Sequence, residues 1–342
     1  MLIGCSKDKP NPVQPEDTST STWVENGNYW RSLIDATSEV DFTFFNFASR
    51  ETVSVSDPQT DTTWDIAFKR YQIILNGGVS GDKGVMGVDL ATTGSPDSID
   101  FAAVLDTPDV SADDWQEDSF VLAVDAWYSY DPFAHAIVPT EYVYVLKDAL
   151  GQYVKFQVTD MFDASMPPDM GSVTCRFVYA ASGNDLTGQP DTVTLDVGTG
   201  TGYIDFSVAS EVMPVDPEIS LDWDIAFTNY EIHLNAEVFG PGAARAYPAY
   251  LDGDLIDNPT DFDGLTYAPT QVQGYMADQL GSALTDWYLY NDVTHQLSSL
   301  DHVYLIKIGD KVYKLQIHSY YHPDLPPATG DGWFTFFWAE LY

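Results

Sequence analysis

A chain of 342 residues with 44% hydrophobic and 14% aromatic side chains carries enough apolar material for two ordinary cores, which excludes wholesale disorder. Its 52 acidic against 14 basic residues give a formal net charge of −38, which argues against nucleic acid and against anionic lipid surfaces as partners, since both need Lys and Arg. Abundant Tyr, Phe and Trp beside many Val and Thr favour strands over helices.

Residues 1–22 begin with Leu2-Ile3-Gly4-Cys5, which resembles the lipobox at which bacterial lipoprotein precursors are cleaved and acylated. The polar, Pro-containing stretch from Lys7 to Thr22 reads as a flexible tether, and Ser6-Lys7-Asp8-Lys9 loosely resembles the charged export signal of Bacteroidetes surface lipoproteins. The resemblance implies a lipid on Cys5. The apolar run that normally precedes such a site is not among these first residues, so either the start lies upstream or Cys5 is incidental. No later run approaches the length of a membrane-spanning helix.

Asn28 to Ile34 suits a short helical turn or an edge strand equally well. Asp41 to Ser49 opens the first predicted domain and leads through an acidic, Pro-bearing turn to Trp64-Asp65-Ile66-Ala67-Phe68. Strand alternation places Trp64, Ile66 and Phe68 on one face of that segment, and Asp65 and Ala67 on the other. Trp127-Tyr128-Ser129-Tyr130 and His135 come before two alternating strands, Tyr142 to Leu146 and Val154 to Val158, with a hairpin turn at Gly151. Met161, Met166 and Met170 follow, then a strand from Val173 to Tyr179. Ala181 to Pro190 reads as a linker.

Beyond the linker the chain repeats itself. Trp223-Asp224-Ile225-Ala226-Phe227, Tyr230 and Leu234-Asn235 echo Trp64 to Phe68, Tyr71 and Leu75-Asn76. Trp287-Tyr288-Leu289-Tyr290, His295 and Tyr304 to Lys307 echo Trp127 to Tyr130, His135 and Tyr144 to Lys147. The offset of about 160 residues is far too long for a solenoid, so each copy is expected to be a folding unit. The expected division is a tether over 1–22, one domain over 23–181 and a second over 182–342. Each domain is expected to be all-β and antiparallel, with few or no helices.

The paired blocks, Trp-Asp-Ile-Ala-Phe with its Leu-Asn and Trp-Tyr-x-Tyr with its His, Tyr-x-x-Lys and Lys-(Phe/Leu)-Gln-(Val/Ile), together resemble the HmuY-type haem-binding lipoproteins of Bacteroidetes. The resemblance spans essentially residues 40–342. It implies an outer-membrane lipoprotein, exposed at the surface or released from it, that binds haem between axial His or Met side chains and works in iron acquisition. The implied partners are haem, a TonB-dependent outer-membrane receptor and host haem proteins.

The ligand candidates follow from that implication together with the need for a soft or imidazole donor on the iron. In the first copy they are His135 with Met166 or Met170. In the second they are His295 with His318 or His322. Bland readings stand beside each one. His135 and His295 could be structural, His318 an ordinary half-exposed strand residue, and Met166, which matches Leu325 ahead of two prolines, an apolar plug. Met161 reads as core, and His233 and His302 as packing or surface residues. The haem propionates are awkward, because the second copy offers only Arg245, Lys307, Lys311 and Lys314 to offset them.

Acidic runs such as Asp252-Gly253-Asp254 lack the central Gly and closing Glu of a calcium loop. Gly198 to Gly202 precedes a strand and reads as a turn. No nucleophile elbow, zinc-protease motif or Cys-x-x-Cys occurs, so nothing positive supports an enzyme. The alternative to haem binding is a surface interaction or adhesion module on the same scaffold, recognising a protein or glycan through aromatic, acidic loops.

Overall fold

The computed structural model describes residues 19–342 apart from 26, 94–99, 107–109, 134, 163–170, 199 and 272. Cys5, Met166 and Met170 thus lie outside the described residues. Among the described residues there is no α-helix, only three single-turn 3-10 segments, and the strand ladders are antiparallel. No helix is long and apolar enough to cross a membrane. The chain is all-β.

Two compact units form, one from residues 1–119 and 280–342, the other from residues 120–279. The first contains a six-stranded sheet in the order Thr20–Val24, Tyr29–Asp35, Asp331–Glu340, Lys311–Tyr321, Val303–Ile308, Met86–Asp89. Its second sheet has four strands, Glu51–Val53, Thr43–Asn46, Ile66–Lys69 and Gln72–Leu75. Phe45 and Phe68 from the short sheet pack in one cluster with Tyr304, Leu315, Phe336 and Trp338 from the long one. On its other face the long sheet packs Val303, Leu305 and Val312 with Val88, Leu90, Phe101 and Val104. Burial on both faces explains why Val303-Tyr304-Leu305-Ile306 reads as an unbroken apolar run: successive side chains enter alternate clusters.

The second unit repeats the plan. Its long sheet runs Asp191–Asp196, Ser172–Ala180, Tyr153–Phe162, Tyr144–Lys147, Arg245–Tyr247, and its short sheet Ser210–Val212, Thr201–Asp205, Ile225–Thr228, Glu231–Leu234. Tyr144, Phe156 and Phe177 pack with Phe206, Ile225 and Phe227, while Val143, Val145 and Val178 face Ala249, Phe262 and Leu265.

The sequence echo and the compact unit are therefore different segments. Each unit takes its short sheet from one half of the echo and the central strands of its long sheet from the other. The division expected after residue 181 falls inside the second unit, where Leu186 is fully buried and its N–H donates to Thr266 O at 3.0 Å. The stretch expected as a linker is held in place. At the N-terminus, Thr20–Val24 pairs with Tyr29–Asp35, so the expected tether is shortened from its distal end. Tyr29–Asp35 also pairs with Asp331–Glu340, which makes it an interior strand, neither an edge nor a helical turn.

Several motif residues prove to be scaffold. Trp64 does not share a face with Ile66 and Phe68; it packs with Phe44, Ala67 and Ile74, and its indole N–H donates to Pro58 O. The regular strand begins only at Ile66, and Asp65 turns inward to accept from Phe47 N at 2.7 Å. Trp223 repeats the indole contact to Pro217 O. Asn76 donates to the carbonyls of Asp61 and Trp64, and Asn235 to those of Ser220 and Trp223. Buried Lys155 and Lys314 donate to loop carbonyls, Leu265 O in one case and Phe101 O with Val104 O in the other. Gln157 and Gln316, two residues further on, donate to Glu141 O and Asp301 O, whose residues both have left-handed backbones. An unpaired buried carbonyl is costly, so each amide and ammonium serves a backbone group that no strand can reach.

Candidate functional site

The two histidine loops are built alike. Tyr128–Asp131 and Ala136–Pro139 form one small hairpin, and Tyr288–Asn291 and Gln296–Ser299 the other. His135 and His295 each occupy the last loop position before the returning strand, with φ of 50° and 56°. His is among the few non-glycine residues found readily at such a left-handed position, and it recurs at both. Both side chains are exposed. His135 Nδ1 lies 2.9 Å from the Tyr130 hydroxyl, and His295 Nδ1 lies 2.6 Å from the Tyr290 hydroxyl. When Nδ1 carries the proton and donates to the tyrosine oxygen, the lone pair on Nε2 is left for an external acceptor such as a metal.

In the first unit this imidazole borders a groove of about 480 Å³. Tyr71, Tyr288, Tyr290, Tyr320 and Tyr321 supply its aromatic surface, and Leu297, Pro327 and Ala328 its aliphatic surface. The hairpin is anchored from below: Leu297 N donates to the Tyr321 hydroxyl at 2.9 Å, and the Trp287 indole donates to Tyr71 O at 2.9 Å. Arg70 and Asp331 also line the groove, with the guanidinium 2.5 Å from Asp331 Oδ2. Burial works against the Arg70 charge, but the hydrogen bond to Asp331 and the acidic neighbours outweigh it and raise its pKa. Burial pushes the Tyr320 phenol up to about 12, so it stays neutral.

The second unit keeps the framework. The Trp127 indole donates to Tyr230 O at 3.1 Å, and Tyr128 and Tyr230 rings lie 6.0 Å apart, as Tyr71 and Tyr288 lie 6.1 Å apart. The segment corresponding to 322–331 includes Met166 and Met170, outside the described residues. Met161 is partly buried against the core.

The other second-copy candidates are not at the groove. His318 is the extra residue of a β-bulge; its ring stacks on Phe337 at 5.0 Å and lies 3.9 Å from Asp301. His322 sits edge-on to Trp333 at 4.7 Å, and its Nδ1 accepts from Asp324 N at 3.2 Å. It belongs to the loop that supplies Pro327 and Ala328, but does not itself line the groove. His302 pairs with Asp89 at 2.8 Å, and His233 is buried and stacked on Phe239 at 3.8 Å. Sequence reasoning missed Arg70, because residue 70 belongs to the other half of the echo from His295. It also missed the tyrosine behind each histidine, although the shared Tyr-x-x-x-x-His spacing carried the signal.

The groove suits a flat, largely apolar ligand that presents a metal to one imidazole. Its volume is within the range of small-molecule sites, its walls are aromatic, and one donor nitrogen is directed by a hydrogen-bonded partner. Among the described residues no group of three or more His, Cys, Asp and Glu is placed to hold a bare metal ion. A shallower cavity of about 520 Å³ in the second unit, beside Tyr247, Asp252 and Met276, has no imidazole.

The family model described as HmuY protein matches residues 38–134. No curated protein matches the chain. Among solved structures, a presumed HmuY-like haem-binding protein from Bacteroides vulgatus is 11% identical, covering 94% of this chain and 95% of its own, with a TM-score of 0.36. A presumed lipoprotein from Bacteroides fragilis is 12% identical with 93% coverage of both chains and a TM-score of 0.32. The apo HmuY analogue of Tannerella forsythia is 17% identical, covering 45% of this chain and 96% of its own, with a TM-score of 0.19.

Proposed function

We propose, from the premise that residues 38–134 are HmuY-family sequence, that this chain is a haem-binding surface lipoprotein. Haem supplies an iron that takes axial ligands and a flat apolar ring that needs a slot. In the first unit His295 is the proposed axial ligand. The observation that carries the reading is the imidazole held by Tyr290 at the rim of the tyrosine-lined groove, and repeated at His135 with Tyr130.

For the opposite iron face the proposed donors are His322 in the first unit, since its loop already walls the groove, and Met166 or Met170 in the second. His318 is a weaker candidate because its ring is engaged with Phe337. A thioether ligand would raise the reduction potential of the second unit's haem above that of a bis-imidazole site. Acylation at Cys5 would tether the protein to the outer membrane, and a TonB-dependent receptor or a host haem protein would be its exchange partner. The role is capture and delivery, with no catalytic step.

Titration of haemin into the purified protein, followed through the Soret band, tests the reading. The band should shift and sharpen; His295→Ala should remove one component, His135→Ala the other, and His318→Ala neither. A protein that leaves the haemin spectrum unchanged is not a haem carrier.

A further inference from the structure

Resting on that reading, we propose that Arg70 is the carboxylate-receiving residue of the His295 groove, so that this groove selects a carboxylate-bearing porphyrin and does so with a residue from the opposite half of the sequence echo. Arg70 lies in the turn between Ile66–Lys69 and Gln72–Leu75, with its backbone held left-handed at φ 49°. That conformation carries its side chain to the groove that His295, Tyr290 and Tyr320 also line. The guanidinium has five donors, and its hydrogen bond among the described residues is to Asp331. A planar fork with donors to spare can receive a second carboxylate beside the first.

Position matters here because cations are scarce. The chain carries 14 Lys and Arg against 52 Asp and Glu, and among the described residues no other Lys or Arg lines this groove. In such a field an anionic ligand is repelled unless a fixed positive charge meets it. The two units also differ at this point. The residue corresponding to Arg70 is Asn229, which keeps the left-handed backbone at φ 52° but carries no charge, and the residue that matches Asp331 in the sequence is the uncharged Met170. Asn is the ordinary occupant of a left-handed turn, so Arg at 70 is not there for the turn. Cation and acid are present together in the first unit and missing together from the second.

The test compares haemin with its dimethyl ester, which keeps the iron and the ring but has no carboxylates, on the wild-type protein, Arg70→Gln and Asp331→Asn. Binding at the first unit is read in the His135→Ala background by Soret titration. Arg70→Gln should weaken haemin about tenfold and leave the ester unchanged. Asp331→Asn frees the guanidinium and lowers the negative field, so haemin should bind several-fold tighter, again with the ester unchanged. A pair that only holds the wall together would make both variants weaken both ligands alike, and that outcome overturns the proposal. So does Arg70→Gln binding haemin as the wild type does, which leaves haem binding itself intact. A wild-type protein that shifts neither ligand's spectrum overturns the haem reading and this inference together.

Discussion

At the scale of single residues, the buried carboxylates distinguish what the echo keeps from what it changes. Asp65 meets Lys83 Nζ at 2.5 Å, while Asp224, its counterpart, accepts the N–H groups of Ala149 and Phe206 and has no ion-pair partner among the described residues. The position of Lys83 is taken by Gly242, where a Cβ would come within 2.4 Å of Asn235 O, so no side chain can return there without moving backbone. Burial pushes Asp224 up to about 7, and Asp118 in the first unit likewise. Both acids hold a proton in the folded state over a range where the unfolded chain has released it. The stability they confer is complete below about pH 4 and is lost as pH rises through about 7, on the order of 3 kcal/mol each. Asp118 Oδ1 is buried without a hydrogen-bond partner, while Oδ2 accepts from Leu75 N. Asp118→Asn should therefore raise stability above pH 7 and flatten the pH dependence between 4 and 7, as read from denaturation curves across that range. A slope as steep as the wild type's would show that Asp118 is not the titrating group. None of this was legible from spacing, because an Asp inside a repeated motif looks the same whether or not an ammonium reaches it.

At the scale of elements, the strands were legible and the clamps were not. Alternation identified Tyr142 to Leu146, Val154 to Val158 and their echoes, because both faces of each long sheet bury apolar side chains. It misplaced Trp64, because alternation holds only inside a regular strand and that strand starts two residues later. Alternation sets Lys155 and Lys314 between apolar strand positions, yet it does not show that their ammonium groups lie over the Phe262 and Phe101 rings at 4.4 and 4.3 Å and tie down loop carbonyls. Burial lowers both pKa values, opposed by nearby aspartates. Lys314→Met would strip the donor from two carbonyls and should cost about 2–4 kcal/mol; Lys155→Met strips one and should cost about 1–3 kcal/mol. Urea denaturation of the two variants checks the order, and a larger loss at Lys155 would contradict it. The histidine hairpins show the same limit from the other side. The sequence offered His135 and His295 only as candidates, and the pairing of strands shows that a tyrosine directs each ring.

At the scale of the whole molecule, the sequence duplication was plain and its folding partners were not. An echo shows that two segments are alike; it does not say which half closes on which. A chain severed between residues 181 and 182 should reveal the difference. Fragments 19–181 and 182–342 should each be poorly folded alone and should recover the native far-ultraviolet and tryptophan signals when mixed, eluting together on a sizing column. Two independently folded fragments that ignore each other would refute the exchange.

That path through the units also sets an order of events during synthesis. The strands from Thr43 to Leu75 leave the ribosome well before the strands they pack on, which run from Val303 to Glu340. The nested unit is complete once residue 279 is out, so it can fold first, while roughly a hundred N-terminal residues wait with apolar faces uncovered. For a nascent chain with this topology, chaperone demand and the risk of premature cleavage fall on the N-terminal third.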